Sequence, residues 1–153
     1  MKAVHIVAVG KELPMHYRQL FEAYQQKASR WFSVKQLLIE PSKIKNKQAA
    51  KQDEANQILQ TIPNNSFIVL LDERGAQFDS LSLSKSFAKW LGGKPLYIII
   101  GGAYGVTQDV RDRSDAVWSF SGQVFPHQLM RVMLMEQLYR SAAIKANLPY
   151  HHS

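Results

Sequence analysis

Pro95-Leu-Tyr-Ile-Ile-Ile-Gly-Gly-Ala-Tyr-Gly105 is the stretch that decides the fold. Its apolar half, Leu96 to Ile100, shows no polar alternation and ends in three isoleucines. That pattern predicts a strand covered on both faces, as in a parallel sheet. The glycine loop that follows, Gly101-Gly-Ala-Tyr-Gly105, predicts close backbone approach at the carboxyl end of the strand. Open α/β sheets bind ligands at that end. A tight strand-to-helix turn accounts for the glycines equally well, so the loop alone does not establish a site. The first strand ends Val9-Gly-Lys-Glu-Leu-Pro14, without G-x-G-x-x-G, and G-x-x-x-x-G-K-[ST] is absent. An NAD-binding Rossmann domain is disfavoured and a P-loop removed.

The same alternation extends towards both termini. Ala3 to Val9, Val34 to Ile39, Phe67 to Leu71 and Ala116 to Phe120 read as further strands. Helical spacing runs from Leu13 to Arg30 and from Gln48 to Ile62, and again from Asp79, a capping residue, to Leu91. Asp72-Glu-Arg-Gly75 reads as a turn. Thr107 is placed to cap a short helix through Arg113, and Pro126 opens a last helix to about Ala146, stopped by Asn147-Leu-Pro149. Strands alternating with helices predict an α/β fold: a mostly parallel sheet with helices on both faces. The last helix carries Leu129, Met130, Val132, Met133, Leu134 and Met135 around its circumference. It is either buried centrally in one chain or covered in part by a second subunit.

The length, 153 residues, predicts a single domain, 1–153. With no cysteine, disulfides and thiolate metal sites are excluded. No apolar run is long enough to span a bilayer, and Met1-Lys-Ala3 shows no signal-peptide layout, so a cytoplasmic protein is expected. The formal charge of +7 fits a basic protein with no polyanionic partner as well as one that binds nucleic acid. Clustering favours nucleic acid: Lys35, Lys43, Lys45, Lys47 and Lys51 fall in one stretch, and Arg111, Arg113, Arg131 and Arg140 in another. Ser42 to Lys51 is expected to begin as a mobile loop.

His127 follows Phe125-Pro126 at a helix start and shares a face with Arg131, four residues on. His5 reads as a packed strand residue and His16 as a surface one. His151 and His152 lack supporting carboxylates or cysteines, so no metal site is expected.

Ile100-Gly-Gly-x-x-Gly105, Ser119-Phe-Ser121, Phe125-Pro-His-x-x-x-Arg-Val132, Glu136-Gln-x-Tyr-Arg140 and Pro149-Tyr-His151 occur in this order, with Val7-Ala-Val-Gly-Lys11 and Leu70-Leu-Asp72 before them. Across essentially the full chain this resembles the small bacterial SPOUT-class methyltransferases that act on N3 of a pseudouridine in 23S ribosomal RNA. The resemblance implies a C-terminal trefoil knot, a homodimer, S-adenosylmethionine as cofactor, and a substrate in the helix 69 region of the assembled ribosome. It implies a cofactor pocket at Leu71, Gly101, Gly102, Gly105 and the run Phe120, Ser121, Gly122, Gln123, Val124 and Phe125. It places His127, Arg131, Arg140, Tyr150 and His151 near the RNA as catalytic candidates, with the tail reaching the partner's pocket. His127 or His151 would take the N3 proton, and Arg131 or Arg140 would stabilise charge on the base or grip phosphate. Many relatives carry an acidic residue where this chain has Ala103-Tyr104. The competing reading is a non-catalytic basic RNA-binding protein of the ribosome, which gives the glycine loop no ligand.

Overall fold

Among residues 1–152, which the computed structural model describes, five strands alternate with five helices. They are β1 (Lys2–Val9), α1 (Met15–Ala28), β2 (Phe32–Ile39), α2 (Lys47–Thr61), β3 (Phe67–Gln77), α3 (Ser80–Gly92), β4 (Leu96–Ile100), α4 (Gln108–Arg113), β5 (Ala116–Ser119) and α5 (His127–Lys145). The sheet order is β2-β1-β4-β3-β5, and every pair is parallel. Parallel neighbours need crossover connections, which carry the helices onto the faces.

The two-residue period of each strand sorts its side chains into two cores. Val4, Ile6 and Ala8 of β1, Val69 and Leu71 of β3, and Leu96, Ile98 and Ile100 of β4 pack with α1, α3 and α5 through Phe21, Phe87 and Leu134. Val7, Val9, Ile68, Leu70, Tyr97 and Ile99 point the other way, onto Ala55 and Ile58 of α2 and Val110 of α4. This double burial explains the unbroken apolar stretches of the central strands. No helix among the described residues is long and apolar enough to cross a membrane.

Two local expectations change, and the structure places two further segments. First, Asp72 to Gly75 does not end β3: both Leu71 and Ala76 align with Trp118, so the four residues bulge and the strand resumes to Gln77. Gly75 is required there because a Cβ would lie 2.6 Å from the Val117 carbonyl carbon and 2.7 Å from the Trp118 nitrogen. Second, Thr107 precedes α4 but caps nothing through its side chain, since its hydroxyl turns to the Asp109 carboxylate.

Third, α5 is covered largely within its own chain. Val132, Leu134, Met135 and Leu138 are buried in the core shared with α1 and α3, while Met130 and Met133 remain half-buried. Fourth, the segment entering α2 is pinned. Ser42 N–H donates to Glu54 Oε2 at 3.0 Å, and Asn46 caps the helix by accepting from Ala49 N–H at 2.9 Å. At the far end of α5, Asn147 adopts φ 58°, Leu148 N–H reaches Ala143 O at 2.9 Å and Asn147 N–H reaches Ile144 O at 3.0 Å. This is a Schellman termination, and it turns the tail back along the helix.

Replacing Gly75 by Ala is expected to lower stability by about 1–3 kcal/mol, because β5 backbone would have to move. Urea unfolding of the Gly75→Ala variant measures this, and an unchanged midpoint contradicts it.

Candidate functional site

Because all strands run the same way, the bulge within β3 and the segments leaving β4 and β5 lie on one edge of the sheet. They enclose a cavity of about 340 Å³, within the size range of small-molecule sites. Leu71, Asp72, Glu73 and Arg74 form one wall, Ile100 to Val106 a second, and Phe120, Ser121, Gln123, Val124 and Phe125 a third. His127 and Met130 of α5 and Lys47 of α2 complete it. Of the residues expected to hold the cofactor, all line this cavity except Gly122.

The glycine loop is shaped by contact on its other side. A Cβ on Gly101 would stand 2.7 Å from Val106 Cγ1, and one on Gly102 would stand 2.6 Å from Glu54 Oε1. Gly105 sits at φ +81°, and its N–H closes a turn onto Gly102 O at 3.0 Å. The glycines therefore serve close packing and a left-handed turn at once. Ser121 Oγ accepts from Gln123 N–H at 3.1 Å, and Ser119 Oγ donates to Ser121 O at 2.9 Å, ordering the third wall.

Charge on the first wall is internally balanced. Asp72 accepts from Arg111 Nη2 at 2.5 Å and from Arg74 N–H at 2.9 Å. Burial alone pushes the Asp72 carboxyl up, but the Arg74 N–H and the Arg111 guanidinium outweigh it and hold it below its ordinary 3.8. Glu73 is exposed at the rim. His127 Nδ1 is buried without a hydrogen-bond partner in a residue that lines the cavity, a polar group left for a ligand to satisfy. A glycine cradle and a lining of mixed polar and apolar side chains fit a cofactor with an adenosine and an amino-acid end.

The other candidates lie elsewhere. Arg131 is only 2% exposed, donates from Nη2 to Lys11 O at 2.8 Å and leaves Nη1 unpaired. Gly10 makes room for it, since a Cβ there would stand 2.6 Å from Arg131 Nη2. Desolvation lowers its pKa, partly opposed by Glu12. In this chain Arg131 is buried and braces α5 against the segment after β1.

Arg140, Tyr150 and His151 form a separate cluster on Glu136. Arg140 Nη2 lies 2.6 Å from Glu136 Oε1, Tyr150 donates to the same oxygen at 3.1 Å, and Arg140 Nη1 meets His151 Nδ1 at 3.0 Å. Burial, a Tyr24 hydrogen bond and the Glu136 charge all raise the Tyr150 pKa, so its phenol stays protonated at neutral pH. Burial disfavours the Arg140 cation, yet Glu136 outweighs it and raises that pKa. Thirteen residues of helix separate His127 from Arg140, about 20 Å. The cavity and the tail cluster are thus two sites within one chain.

The arginine patch expected from sequence is spent internally: Arg111 on Asp72, Arg113 on the Pro63 and Asn64 carbonyls, Arg131 on Lys11 O and Arg140 on Glu136. Among the described residues, Lys43, Lys45, Lys47 and Lys51 form no ion pair. Sequence reading missed Glu54, although it sits at helical spacing with Ala50 and Ile58 on the apolar face of α2. It also missed Lys47 and Tyr104 at the cavity lip; Lys47 Nζ stands 5.0 Å from the Tyr104 ring centroid.

The family model described as "Predicted SPOUT methyltransferase" matches residues 1–151. Among curated proteins, the chain is 36% identical to a protein of Stenotrophomonas maltophilia (strain R551-3) named ribosomal RNA large subunit methyltransferase H, with both chains fully covered. It is 35% identical to proteins of that name from Xanthomonas oryzae pv. oryzae (strain PXO99A), over 97% of each chain, and Xylella fastidiosa (strain 9a5c), over 95%.

Asp72 yields an acid-stability prediction. Its folded pKa lies below the unfolded value, so its contribution is complete above about pH 4 and lost as pH falls through the folded value. Urea unfolding from about pH 6 down to about pH 2.5 should show wild type losing more stability than Asp72→Asn, closing the gap between them. A gap that stays constant over that range contradicts the assignment.

Proposed function

Since the chain belongs to the SPOUT methyltransferase family, we propose that it transfers a methyl group from S-adenosylmethionine to N3 of a pseudouridine in the helix 69 region of 23S rRNA on the assembled ribosome. The observation that carries this reading is the cavity built from the β3 bulge and the segments after β4 and β5, which coincides with the glycine loop and the Phe125-Pro-His127 turn. A non-catalytic RNA binder would leave that cavity without a purpose.

When bound, the cofactor supplies an electrophilic methyl group, so the protein's task is alignment more than covalent help. Gly101, Gly102 and Gly105 would shape the wall that holds the cofactor, with Leu71 and the run Phe120 to Phe125 completing the pocket. Gly122 belongs to the same run but contributes no lining. The N3 proton of the base has to leave, and His127 or His151 accepts it. Arg140 faces negative charge developing on the base or a nearby phosphate, the role left to it by the burial of Arg131.

The 20 Å between His127 and the tail cluster supports a homodimer in which Tyr150, His151 and Arg140 of one chain serve the cavity of the other. The parts of Met130 and Met133 of α5 left uncovered in one chain offer apolar surface for such pairing. A single domain over residues 1–153, a trefoil knot in its C-terminal third, a cytoplasmic location and independence from metal complete the proposal.

Labelled S-adenosylmethionine incubated with ribosomes lacking the modification should label one pseudouridine. No transfer from folded protein would overturn the function. Calorimetry with S-adenosylhomocysteine should show binding by wild type and a loss of at least about tenfold in Gly101→Trp, whose clash with Val106 pushes the loop into the cavity. Equal affinity would displace the pocket assignment. A chain lacking residues 150–153 should bind S-adenosylhomocysteine within about twofold of wild type but transfer methyl groups at least about tenfold more slowly. Full activity would remove the tail from the mechanism.

A further inference from the structure

We propose that Tyr104, backed by Lys47, is a stacking platform for an unpaired base of the RNA substrate at the mouth of the cofactor cavity. The inference rests on the methyltransferase reading and adds where the RNA is gripped. Tyr104 is 53% exposed although it lines the cavity lip, so part of its ring is presented to whatever approaches from solvent.

The backbone turn that carries the ring is buttressed from behind. It is closed by Gly105 N–H onto Gly102 O at 3.0 Å. Behind that turn, Glu54 packs so closely that a Cβ on Gly102 would come within 2.6 Å of Oε1. Glu54 is itself buried and tied through Oε2 to Ser42 N–H at 3.0 Å. A turn held this way loses little conformational freedom when its aromatic engages a ligand.

Lys47 Nζ lies 5.0 Å from the ring centroid, a distance at which the cation is attracted to the π system. Lys43 and Lys45 precede it in the segment entering α2, both exposed and, among the described residues, both without an ion pair. The combination is an aromatic surface for a base beside fixed positive charge for the phosphates on either side of it. Single-stranded nucleic acid is gripped this way, because every base has a π face and every linkage a negative charge. Glu54 therefore links the two halves of the grip: it braces the turn that carries Tyr104 and the segment that carries the lysines.

The alternative source of a flat ring is the adenine of the cofactor. The cavity already holds Leu71, Ile100, Phe120 and Phe125 to cover such a ring inside, whereas Tyr104 stays half outside. The experiment separates the two. Steady-state methylation of unmodified ribosomes at saturating S-adenosylmethionine is measured for wild type, Tyr104→Ala, Tyr104→Phe and Lys47→Ala. S-adenosylhomocysteine affinity is measured alongside by calorimetry. The proposal expects Tyr104→Ala to raise KM for ribosomes about tenfold while kcat and S-adenosylhomocysteine affinity change less than about twofold. Tyr104→Phe should bring KM back to within about twofold of wild type, and Lys47→Ala should raise KM and flatten its salt dependence. An unchanged KM in Tyr104→Ala overturns the platform while leaving the methyltransferase reading intact. A loss of S-adenosylhomocysteine affinity matching the rise in KM overturns it in favour of the cofactor's adenine. A wild-type protein that methylates no ribosomes fails at the methyltransferase reading itself, and the platform falls with it.

Discussion

Five parallel strands can be joined only by crossovers, and the rest of this structure follows from that constraint. Each crossover buries a helix on one face, so β1, β4 and β3 are covered on both sides and must be apolar throughout. Each crossover also returns the chain to the same starting edge, which collects the exits of the strands at the opposite one. The cavity is the space left where the β3 bulge meets the exits of β4 and β5. Its shape depends on two glycines whose missing side chains admit Val106 and Glu54, and larger residues would push the loop into the space a ligand would take.

The helix α5 connects this cavity to the second cluster. Its first turn contributes His127 to the cavity, its middle is buried between α1 and α3, and its later turns hold Glu136 and Arg140. The Asn147 turn then brings Tyr150 and His151 back onto Glu136. One carboxylate thereby orders an arginine and a tyrosine directly, and a histidine through the arginine. The distance along the helix keeps this cluster away from the cavity of its own chain. The arrangement makes sense chemically when two chains are paired, each offering a tail to the other.

Much of the fold was legible because burial on both faces leaves a strong imprint. Leu96 to Ile100 reads as a strand with the bounds observed, and Asp79 caps its helix as its position predicts, accepting from Ser82 N–H at 2.7 Å. Legibility failed where a polar segment is structured by a neighbour. Asp72 to Gly75 carries every local mark of a turn, and only the approach of β5 explains why the strand resumes and why Gly75 is needed. The cavity walls were accessible through the glycine loop and the family likeness, but Arg131 was not. An arginine four residues from a cavity histidine invites a functional role, and nothing local reports that its guanidinium will be buried against Lys11. The same holds for the charge clusters: arginines and lysines look alike in a sequence, yet here the arginines are tied to internal partners and the lysines are left outside.

In the proposed dimer, a cofactor cavity on one chain works with a tail cluster on the other, facing RNA together. The most direct test is a mixed dimer made by co-expressing two differently tagged chains, one carrying Gly101→Trp and the other lacking residues 150–153, and isolating the species that contains one of each. One cavity in that species is intact and faces an intact tail, so the account predicts methyl transfer to ribosomes at about half the wild-type rate. A mixed dimer as inactive as both parent variants would contradict it.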